Sequence, residues 1–444
     1  MLTRVKAVAA PDDTTIPGED FVDMSAPAPR LTTPAELRLQ SDAPDRLVFF
    51  FSGFDPKSAT FYHRLLRSGI AQRNAAHDET MAIGKRHRIG RWASVWTSLW
   101  RGAPKGLGQR PETMRTRMHF MRWDDIVRRH WRRTPLTLAR DYWNIYACGL
   151  ASGVLARLRV ASPAAFWLAL LPLTVGMASL ALGMLVVGGL LALGTHVNAL
   201  AATGAGLAAG LLLWRVAARW VDCEWMLRLG AFMREHAVGD APILDVRLDE
   251  MADRLVEAVD ARMRHPGAAP LREVMVLGCS SGSILAASVL ARALPRLAER
   301  IDGRRADKET SLSLVTLGQC LPIATSWPGA HRIRGELALL AESAMLTWHD
   351  YSSSSDRAAF WKSPPWPEAG KMKVHQASPP FKAAPGGLRF AALSRERRDM
   401  HLQYLRPPLG RSDASTFDFL AIACGPQTLA ERHAKGRTAS DMRR

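Results

Sequence analysis

The chain has 444 residues, of which 48% are apolar, so it can bury a real core and is not globally disordered. Lys and Arg number 59 against 41 Asp and Glu, a formal net charge of +18 that favours anionic partners such as nucleic acid or an acidic lipid surface. Five scattered cysteines (Cys148, Cys223, Cys279, Cys320, Cys424) form neither a C-x-x-C pair nor a tight Cys/His cluster, which argues against structural zinc and a disulfide framework and fits reduced thiols facing a cytosol.

Residues 1–44 are rich in Pro, Ala, Thr and Asp without sustained periodicity and read as a disordered arm. Met1 to Asp13 is mixed and charged, so no cleaved secretory signal is expected. Leu47 to Phe51 is a short apolar run ended by Ser52-Gly53-Phe54-Asp55-Pro56, the pattern of a buried strand entering a tight turn. A helix is expected from about Ala59 to Arg73. Lys85 to Arg117 then mixes basic residues with Trp92, Trp96 and Trp100. Beside a membrane segment that mixture reads as lying near lipid headgroups, and no nucleic-acid partner is expected. A second strand is expected over His119 to Trp123.

Val160 to Trp214 contains no Asp, Glu, Lys or Arg over 55 residues. As one straight helix it would run roughly 80 Å, against about 30 Å of hydrocarbon in a bilayer, so it must fold back. The expected turn is Gly194 to Asn198, giving spans near 164–193, kinked at Pro172, and 197–214. Gly206 and Gly210 stand in G-x-x-x-G spacing, which lets two helices approach closely. Arg128, Arg129, Arg132, Arg133, Arg140, Arg157 and Arg159 precede the hairpin, Arg215, Arg219 and Arg228 follow it, and the turn carries no basic residue. Both flanks and both termini are therefore expected on the cytoplasmic side of an inner membrane, with membrane lipids as partners.

Beyond the hairpin, helical spacing over Ala217–His236 and Leu248–Met263 precedes a strand at Val274–Leu277, a helix at Ser283–Leu297 and a strand at Leu312–Leu317. A helix at Glu336–Ala341 and strands at Met345–Tyr351 and Leu388–Leu393 complete the pattern. Alternating strands and helices predict an α/β fold, a mostly parallel sheet flanked by helices, drawing strands from both sides of the hairpin. The expected organisation is thus an arm (1–44), one domain in two parts (45–159 and 215–430), a hairpin insert (160–214) and a basic tail (431–444).

Gly278-Cys279-Ser280-Ser281-Gly282 is a G-x-S-x-G set between a strand and a helix. A serine in so tight a turn needs small residues two positions to either side, its Oγ stands above the sheet edge, and the amide of Ser281 points at the same spot. A nucleophilic serine needs a base and an orienting acid. Ser, then Asp, then His is the chain order expected here. Asp356, in the loop beyond a strand, is favoured as the acid, with Asp350 as the alternative. His401 is favoured as the base over His349 inside a strand, His433 in the basic tail, and His331 and His375 in irregular stretches.

With Phe51 to Pro56, the Ser280 turn, Asp356 and His401 in place, the chain resembles α/β-hydrolase-fold serine hydrolases of the lipase/esterase kind, in a bacterial, membrane-anchored form. The resemblance spans about residues 46–430, and its specific motif is the Ser280 turn. It implies a second oxyanion amide from Gly53 or Phe54 but does not fix the substrate; the function expected first is a membrane-anchored serine hydrolase acting on an acyl ester, with neither cofactor nor metal expected. Two departures stand out: Cys279 occupies a position where such proteins commonly carry His, and the first strands of the sheet read as short or missing. A catalytically silent hydrolase-like scaffold that binds a lipid or protein at the inner membrane face is the alternative.

Overall fold

The computed structural model describes residues 44–102, 112–131, 134–194, 198–264, 269–302, 310–365, 374–381, 401–408 and 417–434. The expected arm up to residue 43, the hairpin tip at 195–197, the strand at 388–393 and the tail from 435 lie outside the described residues.

Nine strands form one sheet: β1 (Asp45–Phe51), β2 (Thr80–Ile83), β3 (His87–Ile89), β4 (Ala93–Arg101), β5 (Thr113–Met121), β6 (Leu271–Cys279), β7 (Ser311–Leu317), β8 (Leu346–Tyr351) and β9 (Val374–Ala377). Their order is β2-β4-β5-β1-β6-β7-β8-β9, with β3 also on β4. All neighbours from β5 to β9 are parallel, and β4 is antiparallel to β2, β3 and β5. The protein is therefore α/β, with a mostly parallel mixed sheet between helices.

The continuous apolar run of β1 follows from burial on both faces, since alternate side chains of a strand point to opposite sides. Phe49 and Phe51 join Val274, Val276 and Leu314 under the helices Glu224–Val238, Pro242–Arg264 and Gly282–Asp302. Val48 and Phe50 join Met275, Leu277 and Val315 under the helices Ala59–Ala76 and Phe419–Cys424. At the middle of the sheet the Arg46 and Glu273 side chains, both 0% exposed, pair at 2.6 Å across β1 and β6. Arg46 also donates to the carbonyl of Gly425 (2.7 Å), and Glu273 accepts the amide of Leu429 (2.9 Å), so the C-terminal segment is tied to the sheet centre. Removing one partner of such a pair costs about 3–5 kcal/mol, because the other charge stays buried.

The Trp-rich basic stretch departs from expectation. It is not a headgroup belt: Trp96 and Trp100 lie in β4 at 1% and 2% exposure, one helix-covered face of the sheet. Trp92 packs against the opposite core under the Arg247 guanidinium, 3.1 Å from the ring centroid. The strands that read as short or missing are β2, β3 and β4 themselves. The strand expected at 119–123 ends at Met121 and begins earlier, at Thr113. The helix expected over 217–236 breaks at Asp222, whose φ of 47° is left-handed. His331 starts a helix and His375 lies in β9, not in irregular stretches.

Two helices are long and apolar enough to cross a membrane, Pro163–Leu193 (31 residues) and Ala199–Val221 (23 residues); the second runs past the expected end at 214. Ser162 and Asn198 cap their N-termini through Ala165 N–H (3.2 Å) and Ala201 N–H (2.8 Å). Glycine lets them touch: a Cβ on Gly183 would sit 2.3 Å from Gly210 N, and one on Gly210 would sit 2.8 Å from Leu180 Cα. Only 22% and 17% of their most apolar stretches are buried, so both turn most of their surface outward. Because β1 pairs with β6 across the insertion, the segments before and after the hairpin lie on the same side of it.

Candidate active site

The turn between β6 and the helix Gly282–Asp302 holds Ser280 at φ 55°, a left-handed conformation that a side-chain-bearing residue adopts only when its surroundings enforce it. The enforcement is visible. Ser280 N–H donates to Leu317 O of the neighbouring strand (2.8 Å), and Ser280 O accepts from Ser283 N–H (3.0 Å). A Cβ on Gly278 would lie 2.5 Å from Ser283 Cα, and one on Gly282 would lie 2.3 Å from Phe51 O, so backbone fills both places where a larger residue would go.

The loop after β1 reaches the same point. A Cβ on Gly53 would come within 3.1 Å of Ser280 Cβ and 3.6 Å of its Oγ. That loop is held from outside: Trp123 Nε1 donates to Ser52 O (3.1 Å), and the Phe54 ring packs among Trp123, Trp131 and Phe232. Among the described residues, none of the backbone N–H groups of Gly53, Phe54 and Ser281 donates to a backbone carbonyl. All three belong to the segments that flank the serine.

Asp356 and His401 are brought together from segments far apart in the chain. His401 Nδ1 lies 3.0 Å from Asp356 Oδ2, an ion-pair contact outside hydrogen-bond geometry, and among the described residues neither buried atom has a hydrogen-bond partner. Asp356 Oδ1 accepts from Ala358 N–H (3.0 Å). Burial by itself raises the Asp356 carboxyl, but the facing imidazole outweighs it and holds the group below its usual range. Burial by itself lowers His401, and the Asp356 charge reverses this and raises it above 6.5.

Asp350 goes elsewhere. It lies in β8, where its Oδ1 accepts from the hydroxyls of Thr316 (2.9 Å) and Ser352 (3.0 Å). Among the described residues no cation lies beside it, and burial pushes it up to about 7. His349, in β8, meets His375 in a tilted contact and His433 edge-on, with ring centroids at 5.0 and 5.5 Å, and burial lowers it to about 3.

Ser280 and His401 line one apolar cavity together with Cys320, Trp327 and Phe360. Cys320 is no rival nucleophile, because burial pushes its thiol up to about 12 and keeps it protonated at neutral pH. Sequence reasoning did not single out Cys320, Trp327, Phe360 or Tyr404. The Tyr404 hydroxyl accepts Ser353 N–H (2.8 Å) and lies against the Asp356 carboxylate, while its ring fills the space a Cβ on Gly318 (φ 54°) would need. Its place three residues beyond His401 was the one available hint.

Among the described residues no group of three His, Cys, Asp or Glu is arranged to hold a metal ion. No protein-family model, curated protein or solved structure matches the chain, so no relative lends this site a function.

Proposed function

We propose that the chain is a membrane-anchored serine hydrolase of the α/β-hydrolase type that cleaves an acyl ester. One observation carries the reading: a serine forced into a left-handed strand-to-helix turn shares a cavity with a histidine whose ring faces a buried carboxylate at 3.0 Å. In acylation, Ser280 Oγ bonds to the acyl carbon, its proton passes to His401, and the ester C–O bond breaks as His401 protonates the leaving alcohol. Water then adds to the acyl-enzyme with His401 taking its proton, and the acid departs as Ser280 is restored. Asp356 orients His401 and favours its charged form. Negative charge on the acyl oxygen in either step is met by the amides of Ser281 and of Gly53 or Phe54.

The hairpin anchors the enzyme in the inner membrane. Its Arg-rich flanks and uncharged turn support a cytoplasmic catalytic domain and cytoplasmic termini, and the shared sheet, which needs the two flanks together, is in keeping with that. A single cysteine at Thr195, in a cysteine-free background, then reacts with a membrane-impermeant maleimide in intact cells, and one at Asp20 does not; reaction at Asp20 alone would reverse the orientation.

Ser280→Ala is the decisive variant for the chemistry. Hydrolysis of a p-nitrophenyl ester by the detergent-purified protein should fall by about a thousandfold or more with unchanged thermal unfolding. Equal rates for parent and variant would leave a hydrolase-like scaffold without chemistry.

A further inference from the structure

The cavity is not walled by the sheet domain alone. Beside Ser280 and His401 it is lined by Tyr146, Leu158, Ala165 and Ala169. The last two belong to the first two turns of Pro163–Leu193, the first helix long enough to cross a membrane. Tyr146 fastens this wall, its hydroxyl donating to Ala169 O at 2.8 Å. A spanning helix that begins at Pro163 has these turns at the boundary between headgroups and acyl chains. The cavity therefore lies where the catalytic domain meets the outer edge of the hydrocarbon.

The segment leading into that helix has a second apolar face. While Tyr146 and Leu158 point into the cavity, Leu136, Trp143, Leu150 and Val160 are 81%, 67%, 73% and 86% exposed, and Trp167 on the span is 64% exposed. Arg140, Arg157 and Arg159 stand among them. Large apolar side chains spread over short helices, with Trp and Arg between them and a hairpin attached, form the surface of a segment that lies in a bilayer interface. One short stretch of chain thus faces lipid on one side and the serine on the other.

Resting on the hydrolase reading above, we infer that the cavity receives the acyl chain of an ester resident in the cytoplasmic leaflet, admitted from the bilayer beside the first span and not from water. Each methylene that leaves the leaflet gains nothing by mere transfer, so selection comes from fit against the Ala165 and Ala169 wall. An ester already in the leaflet reaches Ser280 without its acyl chain crossing water, which would cost about 0.8 kcal/mol per methylene.

The test uses the full-length protein in phosphatidylcholine vesicles that contain a trace of phosphatidylcholine with a diazirine midway along one acyl chain. After irradiation, adducts are mapped by mass spectrometry. Adducts are expected on Met226, Leu229 and Trp327, which line the cavity, lie outside the spans and are only 7%, 4% and 5% exposed. Ala169→Trp, on the span, and Ile323→Trp, outside it, both at positions that line the cavity, should each reduce these adducts at least tenfold, and Leu193→Trp, 90% exposed in the parent at the far end of the span, should leave them unchanged. Adducts confined to the outward faces of the spans in the parent, or cavity adducts that survive both tryptophans, would overturn the inference. Ester hydrolysis by the parent is scored in the same vesicles. Hydrolysis without cavity adducts removes the bilayer route and leaves the hydrolase; cavity adducts without hydrolysis, equal in the parent and Ser280→Ala, keep the acyl site and remove the hydrolase reading.

Discussion

The end of β8 and the loop that follows it hold two buried carboxyls, Asp350 and Asp356, with opposite electrostatics. Asp350 faces the hydroxyls of Thr316 and Ser352, and burial pushes it up to about 7. Asp356 is just as enclosed, yet the imidazole of His401 holds it ionised below the usual range. Burial is common to both, so what separates them is the partner. A carboxyl within a strand is committed to its neighbours in the sheet, whereas one in the loop beyond the strand end is free to meet a residue arriving from a distant segment.

The largest effect expected from breaking this contrast is on Asp356→Asn. The variant loses the charge that orients His401, and kcat should fall by about a thousandfold or more while the chain still folds. Retained turnover would mean that His401 does not depend on this carboxylate. Next comes the turn that presents the serine to the pair. Gly282→Val puts a Cβ about 2.3 Å from Phe51 O, and thermal unfolding in detergent should show a loss of about 3 kcal/mol or more. An unchanged midpoint would mean that the turn is looser than its contacts imply.

Asp350→Asn sharpens the comparison from the other side. Because the folded pKa of Asp350 is raised, the unfolded chain releases this proton first, and the parent loses stability as pH rises from about 4 to about 7. Asn keeps the acceptor for Thr316 and Ser352 and carries no charge, so at pH 8 the variant should be about 1–3 kcal/mol more stable than the parent, with hydrolysis within about threefold. A loss of activity as large as that of Asp356→Asn would transfer the acid role to Asp350. The smallest effect is on the pH profile. His401 must be neutral to accept a proton, and its raised pKa places the acidic limb of kcat/KM above 6.5. Residual activity of Asp356→Asn should show that limb moved to lower pH, since the charge that raised it is gone; an unmoved limb would assign the limb to another group.

Much of this site was legible because its signals are local. The strand, the spaced glycines and the helix around Ser280 occupy one continuous stretch, and the uncharged hairpin is unmistakable by composition. Asp356 and His401 followed from chain order and loop position, weaker signals that nevertheless singled out two residues the fold brings together. The β2 to β4 region was opaque for a physical reason: Arg86, Arg88 and Arg91 at an exposed edge mask the alternation that buries Trp96 and Trp100. The cavity wall had no local signature at all. Tyr146, Leu158, Ala169, Trp327 and Phe360 are ordinary apolar residues in sequence, and only tertiary packing sets them around one serine.

The role of Ser280 is tested most directly by a fluorophosphonate label, which bonds only to an activated serine. Membranes containing the full chain are treated at pH 8, and the modified peptide is identified by mass spectrometry. A single adduct on Ser280, lost in Ser280→Ala and strongly slowed in Asp356→Asn, is the predicted result. Absence of label from Ser280 in folded protein, or an adduct on another serine that persists in Ser280→Ala, would contradict it.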